Sequence, residues 1–325
     1  MIQIGAQKIG TNIFLASLAG CADLSFRLIA REEGAEFCFY EMSDCGALIY
    51  ASGKKNNDMH RAHPQDLPIA FQLLGSEPEL MVKAAQKMLT LNEKIAFVDI
   101  NAACPMRKVI AKKSGAYLIK EPERLYRIVE QLASALNLPV TIKMRIGYEQ
   151  KDVEKIAAIA KRCEECGAQA LFVHGRTQRQ KYSGAVDYES IKAMKESVKI
   201  PVFASGDIFS PLKAREMLEL TRCDGVLVAR GALGNPWIFK QIKHYLKGGV
   251  LLPGPTLAAR VAVVKRHLNY IEEYKTTAPK SKVGFARKVT MWYLKSLRHA
   301  TVLKDKVNQL KSFSEIYALL DSLNA

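Results

Sequence analysis

The stretch VDINAACPMRKV, residues 98–109, runs from an apolar strand-like segment straight into a cysteine followed by proline. Cys104 is either a small buried hydrophobe or a thiol set out at a strand end to carry a proton. A free thiol ionises near pH ~8.5 and is mostly protonated at neutrality, which suits an acid better than a nucleophile. Lys143 in TIKMR lies near the end of another apolar run, where an ammonium is costly unless it meets an anion. His174 in FVHGR ends a third, placed either for structure or for contact with a polar ligand. Gln72 in AFQLLG can donate and accept at once, the pattern that a flavin or a base edge presents. Two glycine-bearing turns, SGD at 205–207 and ARGALGNP at 229–236, could offer backbone N–H groups to a phosphate, with Arg230 as a bidentate clamp.

These residues need elements that bring them together. Eight β-rich runs, at 13–17, 36–42, 68–75, 96–101, 139–145, 168–175, 200–206 and 223–231, alternate with helix-like segments. They read as near-continuous apolar runs, as a parallel sheet buried on both faces requires. Eight such units predict an α/β fold of the (β/α)8 TIM-barrel type, in which chemistry sits at the C-terminal strand ends. Cys104, Lys143, His174, Gly206 and Arg230 all fall at or just past such ends. The Gly- and Pro-rich KGGVLLPGP at 247–255 breaks the pattern, which divides the chain into a barrel over 1–247 and a small α-helical bundle over 248–325.

The chain has 325 residues, 49% hydrophobic and 25% charged, which gives it apolar content for a large core and the composition of a soluble globular protein. No run approaches the ~18 apolar residues of a membrane span, and the opening MIQIGAQKIGTN alternates and turns; a cytoplasmic protein is expected. Lysine and arginine exceed aspartate and glutamate by 48 − 32 = 16, and the last 71 residues alone carry 13 against 5. A field of that sign attracts polyanions, nucleic acid first among them. Seven scattered cysteines make no disulfide framework, and Cys163-Glu-Glu-Cys166 lacks a second pair or a nearby histidine, so no metal site is expected.

Several separated strings, taken in order, carry a family resemblance: DINAACPMRKV continuing to AKKSGAYL (99–118), TIKMRIGY (141–148), FVHGRTQRQKYSGAVDY (172–188), IPVFASGDI (200–208) and GVLVARGALGNPWIF (225–239). Together with ARKVTMWYLKSL (286–297) in the helical region, they resemble the tRNA-dihydrouridine synthases over essentially the whole chain. The resemblance implies an FMN-dependent oxidoreductase that reduces the 5,6 double bond of particular uridines in tRNA, with NADPH as electron donor and no obligate protein partner evident. Carried over by position, its FMN contacts fall on Ser17, Leu18, Ala19, Gln72, Lys143, His174, Ser205, Gly206, Asp207, Ala229 and Arg230, and its proton donor on Cys104. The expected reaction transfers hydride from the reduced flavin to C6 of an extruded uracil while Cys104 protonates C5, with Lys143 stabilising negative charge on the reduced ring.

The basic helical region would bind the tRNA backbone, with Arg287, Lys288, Lys295 and Arg298 as candidates and Trp292 as a helix anchor. The chain departs from the family pattern at Ser17-Leu18, Ala22, Ala103, Ser205 and Ala229; of these, Ala103 stands closest to the proton donor. A flavin barrel acting on a free pyrimidine, such as a dihydroorotate dehydrogenase, would have no use for the basic C-terminal 71 residues. A barrel that binds tRNA without turnover would have no use for Cys104 and Lys143.

Overall fold

A computed structural model describes residues 1–50, 60–92, 94–295 and 297–323. The chain opens with an antiparallel hairpin, β1 (Ile2–Ile4) and β2 (Gln7–Ile9). Then come β3 (Ile13–Leu15), α1 (Leu24–Glu32), β4 (Cys38–Phe39), β5 (Ser43–Asp44), α2 (Cys45–Tyr50), β6 (Ile69–Leu74), α3 (Pro78–Leu91) and β7 (Ile95–Ala102). The short helices α4 (Arg107–Ile110) and α5 (Tyr117–Lys120) precede α6 (Pro122–Ala135), β8 (Val140–Arg145), α7 (Val153–Glu165), β9 (Ala170–His174) and α8 (Tyr188–Ser197). The barrel ends with β10 (Val202–Ser205), α9 (Pro211–Thr221), β11 (Gly225–Val228), a 3-10 turn at Arg230–Ala232 and α10 (Ile238–Gly248). Helices α11 (Leu257–Tyr274), α12 (Pro279–Leu294), α13 (Ala300–Gln309) and α14 (Phe313–Ser322) follow.

Strands β3, β4, β6, β7, β8, β9, β10 and β11 pair in parallel, and β11 pairs back onto β3, so the sheet closes as a (β/α)8 barrel. Closure sorts side chains by the two-residue period of a strand. Val98, Ile100, Val140, Ile142, Leu171, Val173, Val202 and Ala204 face the surrounding helices in one apolar cluster. Phe14, Phe37, Phe39, Phe97, Phe172 and Phe203 face inward and fill the barrel, with ring centroids as close as 4.6 Å for Phe14 and Phe203. Ile4 and Ile9 of the opening hairpin join this inner cluster. The helices start where the local chemistry lets them: Asp23, Asp152, Asp187, Ser210 and Thr256 each accept a backbone N–H of the first turn.

One feature of the strands differs from the sequence expectation. They were expected to lack a polar alternate face, yet above the phenylalanine layer β7 continues with buried Asp99 and Asn101, and β8 with Thr141, Lys143 and Arg145. The phenylalanines fill the lower barrel, and the polar groups form the floor of its mouth. The C-terminal helices have their own apolar core, Val264, Leu268, Ile271, Val289, Tyr293, Ile316 and Leu320 among its members, which also takes in Ile29 of α1 and Trp237. Among the described residues no helix is long and apolar enough to cross a membrane.

Candidate active site

A cavity of about 480 Å3 opens at the C-terminal ends of the strands, a size suited to a small organic ligand. The structure brings together there all twelve residues that the sequence reading assigned to catalysis or cofactor: Ser17, Leu18, Ala19, Gln72, Cys104, Lys143, His174, Ser205, Gly206, Asp207, Ala229 and Arg230. Each comes from the C-terminal half of a strand or the loop after it. Cys104 follows β7 and Ala229–Arg230 follow β11, four places round the ring, so they stand on opposite walls.

Beneath the ligand space runs a continuous chain of side-chain hydrogen bonds. The Thr141 hydroxyl donates to one Asp99 oxygen at 2.6 Å and Gln72 Nε2 to the other at 2.7 Å. Asn101 Nδ2 donates to Gln72 Oε1 at 2.6 Å, and Asn101 Oδ1 accepts the backbone N–H groups of Ala103 at 3.1 Å and Cys104 at 2.9 Å. Asn101 therefore shapes the turn that carries the thiol, while Gln72 keeps a second N–H and a second lone pair for a ligand. Sequence reasoning missed Asp99 and Asn101. The available signal was a carboxylate and an amide two residues apart in a strand, both on the face that Phe97 also uses.

Burial sets the electrostatics. Asp99 has no exposed surface, and desolvation raises its pKa to about 7 against the pull of Thr141, Gln72 and Lys143. Desolvation and the Arg145 charge lower Lys143 to about 8, partly opposed by Asp99 and Cys104. His174 is driven down to about 2 by burial and by the surrounding cations, first Lys143 and Arg145, so it is neutral at working pH. Asp207 accepts hydrogen bonds from Arg176 and, at 2.8 Å, from Arg230, and these partners hold it below the usual carboxylate range. The Arg230 guanidinium also lies 4.5 Å from the Tyr182 ring centroid. Arg145, a third residue that sequence reasoning missed, donates to the carbonyls of Ala103 at 2.7 Å and of Thr177 and Lys181 at 2.9 Å, tying the Cys104 loop to the loop after β9.

Ala103 is not among the residues with positive φ, so its backbone does not require glycine. The four basic candidates of the helical region lie apart from the twelve. Lys288 donates to the Gly20 carbonyl at 2.6 Å and Lys295 to that of Leu233 at 2.8 Å, both on cavity-side loops. Arg287 donates to the Asn308 carbonyl at 2.6 Å, within the helical region, and Arg298 is exposed. Trp292 packs edge-on to Phe26, 6.0 Å between centroids. Cys163 and Cys166 lie at the end of α7, where Cys163 is buried and the Cys166 thiol donates to Glu130. Among the described residues no three His, Cys, Asp or Glu side chains are grouped to hold a metal ion.

A closed barrel with a cation, a neutral imidazole, oriented amides and a thiol converging on a cavity at its mouth defines a (β/α)8 barrel with a polar site at the C-terminal ends of its strands. Solved structures share this fold at low identity. An old yellow enzyme homologue from Zymomonas mobilis matches with TM-score 0.54 and 15% identity, covering 80% of this chain and 94% of that one. Histamine dehydrogenase from Rhizobium sp. 4-9 matches with TM-score 0.57 and 12% identity, covering 82% and 50%. The dihydrouridine synthase (Dus) family model matches residues 14–324. A probable tRNA-dihydrouridine synthase of Rickettsia bellii is 37% identical over 308 residues, 95% of this chain and 93% of that protein. tRNA-dihydrouridine synthase B of Pseudomonas aeruginosa is 36% identical over 312 residues, 96% and 92%. The chain belongs to the dihydrouridine synthase family.

Proposed function

We propose that this protein reduces the 5,6 double bond of particular uridines in tRNA, with FMN held in the barrel mouth, NADPH as electron donor, Cys104 as proton donor and the cytoplasm as its place of work. Residues 1–247 would form the catalytic barrel and 248–325 the unit that meets the RNA. The cavity fits such a cofactor: Ser17 Oγ is buried in its wall without a partner among the described residues, and Gln72 and Lys143 offer donors to a polar ring. Ser17, Leu18, Ala19, Gln72, Lys143, His174, Ser205, Gly206, Asp207, Ala229 and Arg230 would hold it. When bound and reduced, FMN supplies the hydride that the substrate receives.

The rest of the chemistry belongs to the protein. A uracil stacked in folded tRNA reaches this cavity only by extrusion, which costs a few kcal/mol, and phosphate contacts to the basic helical unit would offset that cost. Cys104 would give its proton to C5 of the extruded ring. His174, stripped of its extra proton by burial and neighbouring charge, is a poor rival for that role. Lys143, still an ammonium at neutral pH, lines the cavity and would stabilise anionic charge on a ring bound there.

The observation that carries this reading is the thiol itself, half-buried on one wall of the cavity that Lys143, Gln72 and Arg230 also line. Cys104→Ala tests it. The variant should keep its yellow colour and its reduction by NADPH, yet form dihydrouridine on unmodified tRNA at least ~10²-fold more slowly. Product formation at the native rate would refute the role of Cys104, and a purified native protein that takes up no flavin would refute the whole reading.

A further inference from the structure

The helical unit is fastened to the barrel by lysines at one particular place. Ser17, Leu18, Ala19 and Cys21, in the loop after the first barrel strand, line the cavity, and Gly20 lies between them in the chain. Within that loop Gly20, at φ +70°, has both of its backbone groups engaged: Glu41 accepts its N–H, and Lys288 of α12 donates to its carbonyl at 2.6 Å. The Lys288 ammonium also lies 5.3 Å from the ring centroids of Phe285 and of Trp292. Phe285 takes a second ammonium, that of Lys275 at 4.0 Å, and Lys275 donates to buried Asp23 at 3.0 Å, at the start of α1.

The loop after the last barrel strand is held from the same helix. Lys295 donates to the Leu233 carbonyl at 2.8 Å. Gly234, at φ +70°, packs so closely on α12 that a Cβ there would stand 2.1 Å from the Trp292 carbonyl oxygen. Arg260 of α11 reaches Gly234 and Tyr293 carbonyls at 3.4 and 3.2 Å. Helix α12 thus lies across the seam where first and eighth strands meet, in contact with both loops that border the cavity there.

We propose that Lys288 is a positioning residue for the cavity loop and not a phosphate contact of the RNA: with Lys275 and Phe285 it clamps residues 20–23 to α12, so that the helical unit governs how tightly the barrel holds its cofactor. An ammonium that already has a carbonyl and two ring faces gains little from an exposed phosphate and would leave that carbonyl to water. The inference rests on the FMN reading above for its cofactor, though not for the clamp itself.

The test uses the full chain with FMN bound. Lys288→Met and Lys275→Met should each release FMN about three- to tenfold faster on dilution, read as recovered flavin fluorescence, as expected for loss of a partly exposed charge-assisted hydrogen bond. In the flavin-free protein the amides of residues 17–22 should exchange hydrogen faster, and Lys288→Arg, which can still donate to the Gly20 carbonyl, should restore slow release and slow exchange. The slope of log affinity for tRNA against log salt should stay at the native value in Lys288→Met. Native release and exchange rates in both methionine variants would overturn the proposal, as would a slope flatter by ~0.7 to 0.9, the mark of one lost phosphate contact. If the native protein takes up no flavin, the FMN reading fails separately, and exchange at residues 17–22 decides the clamp.

Discussion

Lys143 and Asp99 lie under one ligand space, and burial moves them in opposite directions because it disfavours whichever form is charged. For Lys143 the folded pKa, about 8, lies below its ordinary 10.5, so the ammonium is present at neutrality and is lost as pH rises through about 8. Binding of FMN to the flavin-free protein should therefore weaken above about pH 8, and the same titration on Lys143→Ala should be flat across that range. A native curve that does not bend there would deny Lys143 a part in holding the cofactor. For Asp99 the sign reverses. Its folded pKa is raised from 3.8 to about 7, so between those values the folded protein keeps a proton that the unfolded chain has released, and stability falls as pH rises through that window. The full cost, reached above about pH 7, is on the order of 4 kcal/mol. Asp99→Asn should remove this component, making the thermal midpoint of the flavin-free protein less sensitive to pH between 5 and 7.5 than the native midpoint. Parallel curves for the two proteins would show that Asp99 titrates normally.

At the scale of elements, the segment that presents the thiol is a strand end, a short helix and a glycine. Asn101 fixes its start through the N–H groups of Ala103 and Cys104, and the Cys104 carbonyl accepts the Ala116 N–H at 3.0 Å, closing the loop on itself. Gly115 makes that closure possible: it sits at φ +63°, and a Cβ there would be 2.7 Å from the Cys104 carbonyl oxygen and from Val109 Cγ1. Gly115→Ala should push Cys104 out of place, keep the flavin spectrum and lower dihydrouridine formation by ~10-fold or more, since about 1–2 kcal/mol of backbone strain is added where the proton donor is aimed. Native turnover with a native spectrum would mean that the loop tolerates the shift. Much of this scaffold was legible in the sequence. The eight barrel strands stand out because Val98, Ile100, Val140 and Ile142 face helices while the phenylalanines face inward, leaving few polar residues in the runs. The same density hid Asp99 and Asn101, whose meaning depends on Gln72 of the neighbouring strand, 27 and 29 residues away in the chain. Arg145 was hidden for a similar reason, its carbonyl partners lying 31 to 42 residues off. Helix α13 carries little signal in the sequence because it starts from His299 in a left-handed conformation without a side-chain cap, and only Val307 of its residues is buried.

For the whole molecule the net charge of +16 and its concentration toward the C-terminus make long-range attraction to RNA the expected first event. The structure divides that charge into groups with different duties. Arg287 is committed to the carbonyls of Asn308 and Leu310 at 2.6 and 3.4 Å, so it closes the end of α13, whereas Arg298 is exposed in the turn just before that helix begins. A guanidinium that caps a helix end and one that meets a phosphate respond differently to removal, because only the second displaces counterions when RNA binds. Arg298→Ala should leave the thermal midpoint within a degree or two of native. It should weaken tRNA binding about equally for all tRNA sequences and flatten the slope of log affinity against log salt by ~0.7 to 0.9. Arg287→Ala should instead lower the midpoint and leave the slope unchanged at temperatures where the helices stay folded. Measuring both variants on one tRNA between 50 and 200 mM salt, the range over which phosphate contacts lose most of their affinity, separates the duties. An unaltered slope in Arg298→Ala would remove it from the RNA-facing surface, and a flattened slope in Arg287→Ala would mean that its carbonyl partners give way to phosphate when RNA arrives.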